Sequence, residues 1–210
     1  MGLLNNPDKN AQKRNHLIFI SISLVVTAVL YMFDVPIWHA ARDLAEPNFL
    51  IIPDLLSEWG LYLFYTIFAV VVVVGYTKKR PDLISIGLAY IKAQLVFSLV
   101  VVRLLKFVLG RPRPGYGFEL IFFTTRASHH SFPSGHSADA FASGVCLFYL
   151  LSQSKYSQYR FLPLIYAFLI AASRVFVSSH FPSDVSAGMA IGIMGAWFFL
   201  SRLPDQSHQH

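Results

Sequence analysis

LISIGLAYIKAQLVFSLVVVRLLKFVL, residues 83–109, carries only three charged side chains, Lys92, Arg103 and Lys106, in a run of apolar and small residues. About 20 predominantly apolar residues suffice to cross roughly 30 Å of hydrocarbon, so the run reads as a membrane span. Similar runs occupy about 16–33, 60–76, 136–152, 161–177 and 184–203, which makes six spans. The whole chain agrees, with 55% hydrophobic and only 13% charged residues and a mean hydropathy of +0.52. A soluble globular domain is excluded by that profile. Six helices and short links use up the 210 residues. The expected fold is therefore all-α, a polytopic membrane helix bundle of about six transmembrane helices. One domain over 1–210 is expected, with 1–15 a cytoplasmic N-terminal segment and 204–210 a C-terminal tail.

Basic residues near span ends tend to stay on the cytoplasmic side. An N-terminus inside places Lys9, Lys13, Arg14, Lys78, Lys79, Arg80, Lys155, Arg160 and Arg202 in the cytoplasm, against Arg42, Arg111, Arg113 and Arg126 outside. The net charge of +6 is thus mainly a topology signal, and no nucleic-acid motif accompanies it. Lys9, Lys13 and Arg14 before an apolar stretch also suit a secretory signal, but the run continues through Tyr31-Met32-Phe33 without a small-residue cleavage pattern. It reads as a retained helix. The lone Cys146 falls within the fourth span, so no intramolecular disulfide can form.

Alternation of six spans brings four particular ends to one face: the end of span three with Lys106, the start of span four with His136, the end of span five with Arg174, and the start of span six with His180 and Asp184. That face is the outer one, at the depth of lipid headgroups. A neutral imidazole such as His180 can attack phosphorus and form a covalent phosphohistidine. Asp184 can orient it and stabilise the cation formed on attack. Pro182 interrupts helical periodicity between the two, which places His180 in the turn before span six, with Ser183 or a neighbour as the cap. Pro133-Ser134-Gly135 sets His136 at a helix start, where unpaired backbone N–H groups suit an anion. Lys106, Arg113 and Arg174 form a cationic clamp for the negative charge of a transferred phosphoryl group. Three cations make a metal unnecessary, and no carboxylate cage for magnesium is evident; no cofactor is expected.

Six residues separate Lys106 from Arg113-Pro114, Pro133 to His136 reads Pro-Ser-Gly-His, five residues separate Ser173-Arg174 from His180, and three more separate His180 from Asp184. In order and spacing these eleven positions resemble the type 2 phosphatidic acid phosphatase family, whose site is related to that of the vanadium haloperoxidases. The resemblance implies that His180 is the nucleophile and that His136 protonates the leaving oxygen. It also implies that the Ser134 side chain and the Gly135 backbone help to bind phosphate, without a metal. Arg111-Pro112 repeats the Arg-Pro pair of Arg113-Pro114, but the spacing from Lys106 favours Arg113.

Other residues have plainer readings. Lys92 fits a snorkelling side chain, and Arg103 shares a helix face with Lys106 as an outlying cation. The pairs His129, His130 and His208, His210 are poor evidence for metal binding. Two outer segments, 34–58 and 115–132, carry aromatic and apolar side chains suited to the headgroup layer and to shaping a substrate entrance.

The expected activity is hydrolysis of a lipid phosphate monoester or diphosphate: phosphatidylglycerophosphate, undecaprenyl diphosphate, phosphatidic acid or a lipid A phosphate. A phosphotransferase using the same site, and a non-enzymatic transporter or lipid-binding protein, are the alternatives. The expected location is a bacterial inner membrane with both termini cytoplasmic and the site periplasmic. The expected partners are the lipid substrate and the bilayer, and the oligomeric state is left open.

Overall fold

The computed structural model describes residues 9–44 and 47–204. The tail pair His208 and His210 and most of the expected N-terminal segment lie outside the described residues. Six helices form among them: α1 (Lys9–Asp43), α2 (Pro47–Thr77), α3 (Pro81–Leu109), α4 (Gly135–Ser152), α5 (Leu162–Phe176) and α6 (Pro182–Leu200). No strand occurs among the described residues, and the all-α expectation holds.

Among the described residues, five stretches are long and apolar enough to span a membrane: Lys13–Asp43, Leu50–Thr77, Pro81–Leu109, Ser157–Phe176 and Pro182–Leu200. Helix α4, expected as the fourth span, does not reach that apolarity, and its place in the bundle explains why. None of its residues is exposed, and Ala138, Ala140, Ala142, Ser143 and Cys146 have no accessible surface. A helix wrapped by other helices is solvated by protein rather than lipid, so small and polar side chains are tolerated there. Helices α2, α3, α5 and α6 pack around it.

Lipid tails are as apolar as leucine, so close backbone approach rather than hydrophobic drive holds such helices together. Glycines on α6 provide it. A Cβ at Gly188 would sit 2.3 Å from the Ser134 carbonyl oxygen, and one at Gly192 2.2 Å from that of Ala138. The turn that opens α4 is thereby pressed directly onto the first half of α6.

Segment 34–58, expected as an outer link, is instead helix on both sides of a short break, because α1 continues to Asp43 and α2 opens at Pro47. Proline at a first helical turn forfeits an N–H that would be unpaired anyway. The outer part of α1 is held by protein contacts: Trp38 is buried, donates from Nε1 to Ser178 Oγ at 2.9 Å, and meets the Phe181 ring edge-on at 6.0 Å. It covers the loop that carries His180.

Gly110 ends α3 in the left-handed region at φ 51°, and a Cβ there would lie 1.7 Å from the Ile121 carbonyl oxygen. The chain therefore folds back over the end of α3, with Ile121 N–H donating to Gly110 O at 3.0 Å. Residues 115–132 are irregular apart from a short turn at Ala127–His129, and Phe118, Phe122 and Phe123 are exposed along them.

Candidate active site

Helix ends and the loops between them gather at one end of the bundle. Lys106, Arg113, Gly135 and His136 line a single cavity of about 550 Å3, together with Arg103, His130 and Asp139. Arg174, His180 and Asp184 stand behind its wall, close enough that their charges act on Lys106 and on the imidazoles.

The cations are held differently. Lys106 donates from Nζ to the His130 carbonyl at 2.6 Å, which draws its head toward the loop. The Arg113 backbone N–H donates to Ser128 O at 2.8 Å, while its buried Nε has no partner. Arg174 donates from Nη1 to the hydroxyl of Ser57, and its Nε is also buried without a partner. Buried donors are nearly always paired, so two unpaired guanidinium nitrogens, one lining the cavity and one behind its wall, mark a place for an anion.

Asp184 owes its position to helix-start geometry. Pro182 is the first residue of α6, which puts Asp184 at the third position, where a carboxylate reaches back to the cap. It accepts from Phe181 N at 2.9 Å, so the cap is Asp184, the neighbour of Ser183. The same oxygen accepts from Ser131 Oγ at 2.5 Å, and the other takes Arg111 Nη1 at 2.6 Å. His180 Nδ1 lies 3.7 Å from Asp184 Oδ2, an electrostatic contact longer than a hydrogen bond, and has no hydrogen-bond partner. His180 is 2% exposed, and burial pushes its imidazole down to about 4 against the opposing pull of Asp184. It is therefore neutral at physiological pH, the form a nucleophile requires.

Ser134 caps α4: its oxygen accepts from Ser137 N at 3.4 Å and from Ser137 Oγ at 2.9 Å, and it has no accessible surface. Its hydroxyl is thus engaged in the turn, and the Gly135 backbone rather than Ser134 faces the cavity. His136 follows at the second helical position, beside the free amides of the first turn.

The two Arg-Pro pairs separate cleanly. Arg111 bridges Asp34 and Asp184, and its guanidinium lies over the Tyr31 and Phe181 rings at 4.7 and 4.6 Å. Arg113 faces the cavity. Of the remaining candidates, Lys92 is exposed away from the cavity, whereas Arg103 lines it. His129 Nδ1 meets Ser128 Oγ at 3.0 Å, and among the described residues no group of three His, Cys, Asp or Glu side chains is placed to hold a metal ion. Asp34, Ser57, Ser131 and Asp139 escaped the sequence reading; only Asp34, a carboxylate directly after an apolar run, left a visible sign.

The PAP2 superfamily matches residues 82–207. Lipid A 1-phosphatase from Rhizobium etli is 30% identical over 87% of this chain and 81% of its own length. Undecaprenyl-diphosphatase from Sulfolobus acidocaldarius is 30% identical over 70% of this chain and 66% of its own. The crystal structure of Aquifex aeolicus LpxE superposes with a TM-score of 0.60 at 25% identity, covering 80% of this chain and 94% of that one. The structure of a transmembrane PAP2-type phosphatidylglycerolphosphate phosphatase from Bacillus subtilis shares the fold, with a TM-score of 0.64 at 19% identity over 88% of this chain and 94% of that one. A family match over more than half of the chain, on a bundle whose helix ends gather this constellation, leads to one conclusion: the chain belongs to the PAP2 superfamily, as an integral membrane phosphatase.

Proposed function

We propose that the protein hydrolyses a lipid phosphate monoester or diphosphate through a phosphohistidine on His180. The observation that carries this reading is the pair of buried, unpartnered Nε atoms on Arg113 and Arg174 beside a neutral, buried His180. Phosphate oxygens are the partners these donors lack. With Nδ1 turned toward Asp184, Nε2 is the nitrogen that attacks phosphorus. The N–P bond forms as the bond from phosphorus to the leaving oxygen breaks, and His136 gives that oxygen a proton. General acid catalysis of this kind contributes roughly 10²–10⁴-fold. Water then attacks the phosphohistidine, His136 accepts its proton, and phosphate leaves with His180 restored. Asp184 favours the cationic ring during the first step, and substrate binding draws the 3.7 Å contact toward a hydrogen bond. Lys106, Arg113 and Arg174 offset the charge of the transferred group.

Substrate candidates are the four lipid classes with a terminal phosphate or diphosphate, and the relatives favour lipid A and undecaprenyl phosphates. The bias of lysine and arginine toward one set of links supports a site on the outer face, periplasmic in a bacterial inner membrane. Phosphate release from a panel of these lipids in EDTA, by wild type and His180→Ala, tests the reading. Release by wild type alone supports it; equal rates from both overturn it.

A further inference from the structure

The main cavity does not end at the phosphate-binding residues. A second cavity of about 310 Å3 continues along α3 and shares Ser98, Leu99 and Asp139 with the first. Its wall is the π-helical stretch Gln94–Val101, a distortion found most often at functional sites. Three polar groups meet there. Asp139 accepts from Tyr65 Oη at 3.1 Å. Gln94 donates from Nε2 to Asp139 O at 3.2 Å and to Ser143 Oγ at 3.0 Å, which leaves its carbonyl oxygen buried without a partner. Ser98 is 7% exposed, and its hydroxyl is directed at the Asp139 carboxylate.

A polar cluster that served only to fasten α3 to α4 would satisfy itself. A buried acceptor left unpaired is costly, so the Gln94 oxygen in this cavity calls for a partner from a ligand. The unpaired oxygen of Gln94 and the carboxylate of Asp139 are acceptors, so that partner carries N–H or O–H donors. Asp139 is one turn beyond His136, about 5 Å deeper, and Ser98 lies about 12 Å before Lys106 along α3, counting 1.5 Å per residue. Exposed Leu95 and Leu99 flank the groove.

We infer that Asp139, Gln94 and Ser98 form a hydrogen-bonding subsite for an amide or hydroxyl of the lipid, placed below its phosphate. The substrate class is thus an N-acylated or hydroxylated lipid phosphate; a plain diacyl or polyprenyl chain offers no donor at that depth. This inference rests on the phosphatase reading of the same site. A site built to hydrogen-bond a substrate discriminates strongly against the analogue lacking the group.

Equilibrium binding in detergent micelles tests it, using the His180→Ala protein to prevent turnover. The probes are ceramide 1-phosphate, which has an amide and a hydroxyl near the phosphate, and phosphatidic acid of matched chain length. The expected result is at least about tenfold tighter binding of ceramide 1-phosphate, or about 1.4 kcal/mol. Adding Ser98→Ala or, separately, Asp139→Asn reduces that preference below about threefold, with helicity by circular dichroism unchanged. Equal binding of both lipids, or a preference that survives in both variants, overturns the subsite alone. Binding of neither lipid overturns the phosphatase reading with it.

Discussion

Arg111 and Asp184 form a buried ion pair, Nη1 to Oδ1 at 2.6 Å, although they come from separate motif segments. Through its other nitrogen Arg111 holds Asp34 of α1, so the Asp184 carboxylate is tied to a helix far away in sequence. Arg113, two residues on, has an unpartnered Nε and faces the cavity. The two arginines therefore do different work, and their removal should have opposite signatures. Arg111→Ala leaves Asp34 and Asp184 buried without a counter-charge, a change that costs about 3–5 kcal/mol. A large fall in melting temperature in detergent is expected. Arg113→Ala removes no internal pair, so the melting temperature stays close to wild type while phosphatase activity falls at least about a hundredfold, as for loss of an oxyanion donor. The reverse pattern would show that the spacing-based choice of Arg113 was mistaken.

His180 is expected to stay neutral far below the ordinary histidine range, since burial holds its ring near 4. Nitrogen-15 NMR of histidine-labelled protein, with the His180 signals assigned by their loss in His180→Gln, reads this directly. At pH 5.5 the neutral pattern persists; a midpoint near 6.5 contradicts the buried geometry. The sign for folding follows. A depressed folded-state pKa means the unfolded chain binds the proton more tightly, so this stabilisation is complete above about 6.5 and is lost as pH falls through about 4.

Gly188→Ala forces a Cβ to within 2.3 Å of the Ser134 carbonyl, which must move to relieve the clash. Overpacking of this kind costs about 1–3 kcal/mol. Because the displaced backbone carries Gly135 and His136, activity should fall further than stability. Gly192→Ala presses instead on Ala138, one turn deeper, and should lower the melting temperature with a smaller loss of activity. Melting curves and phosphate release on both variants check the difference.

The lipid-facing helices were legible because a bilayer demands long apolar runs, and the phosphate chemistry was legible because it needs cations and imidazoles at helix ends. Helix α4 is less apolar than the other spans, since a helix surrounded by protein no longer has to satisfy lipid. The outer part of α1 was read as a link because its hydropathy drops at Asp34, yet there it packs on the His180 loop. Ser57 and Asp34 carried no motif: their role comes from contacts with Arg174 and Arg111 that only the tertiary fold creates. Ser134 belongs to its motif, but its hydroxyl is taken by the cap, a detail of turn geometry that spacing does not encode.

The covalent phosphohistidine on His180 can be trapped directly. Purified protein would be mixed for milliseconds with a lipid phosphate labelled with phosphorus-32 in its terminal group, denatured in alkali, and mapped by peptide. A base-stable, acid-labile label on His180 is expected, present in wild type and absent in His180→Gln. Release of labelled phosphate without any labelled protein, unaffected by His180→Gln, would contradict it.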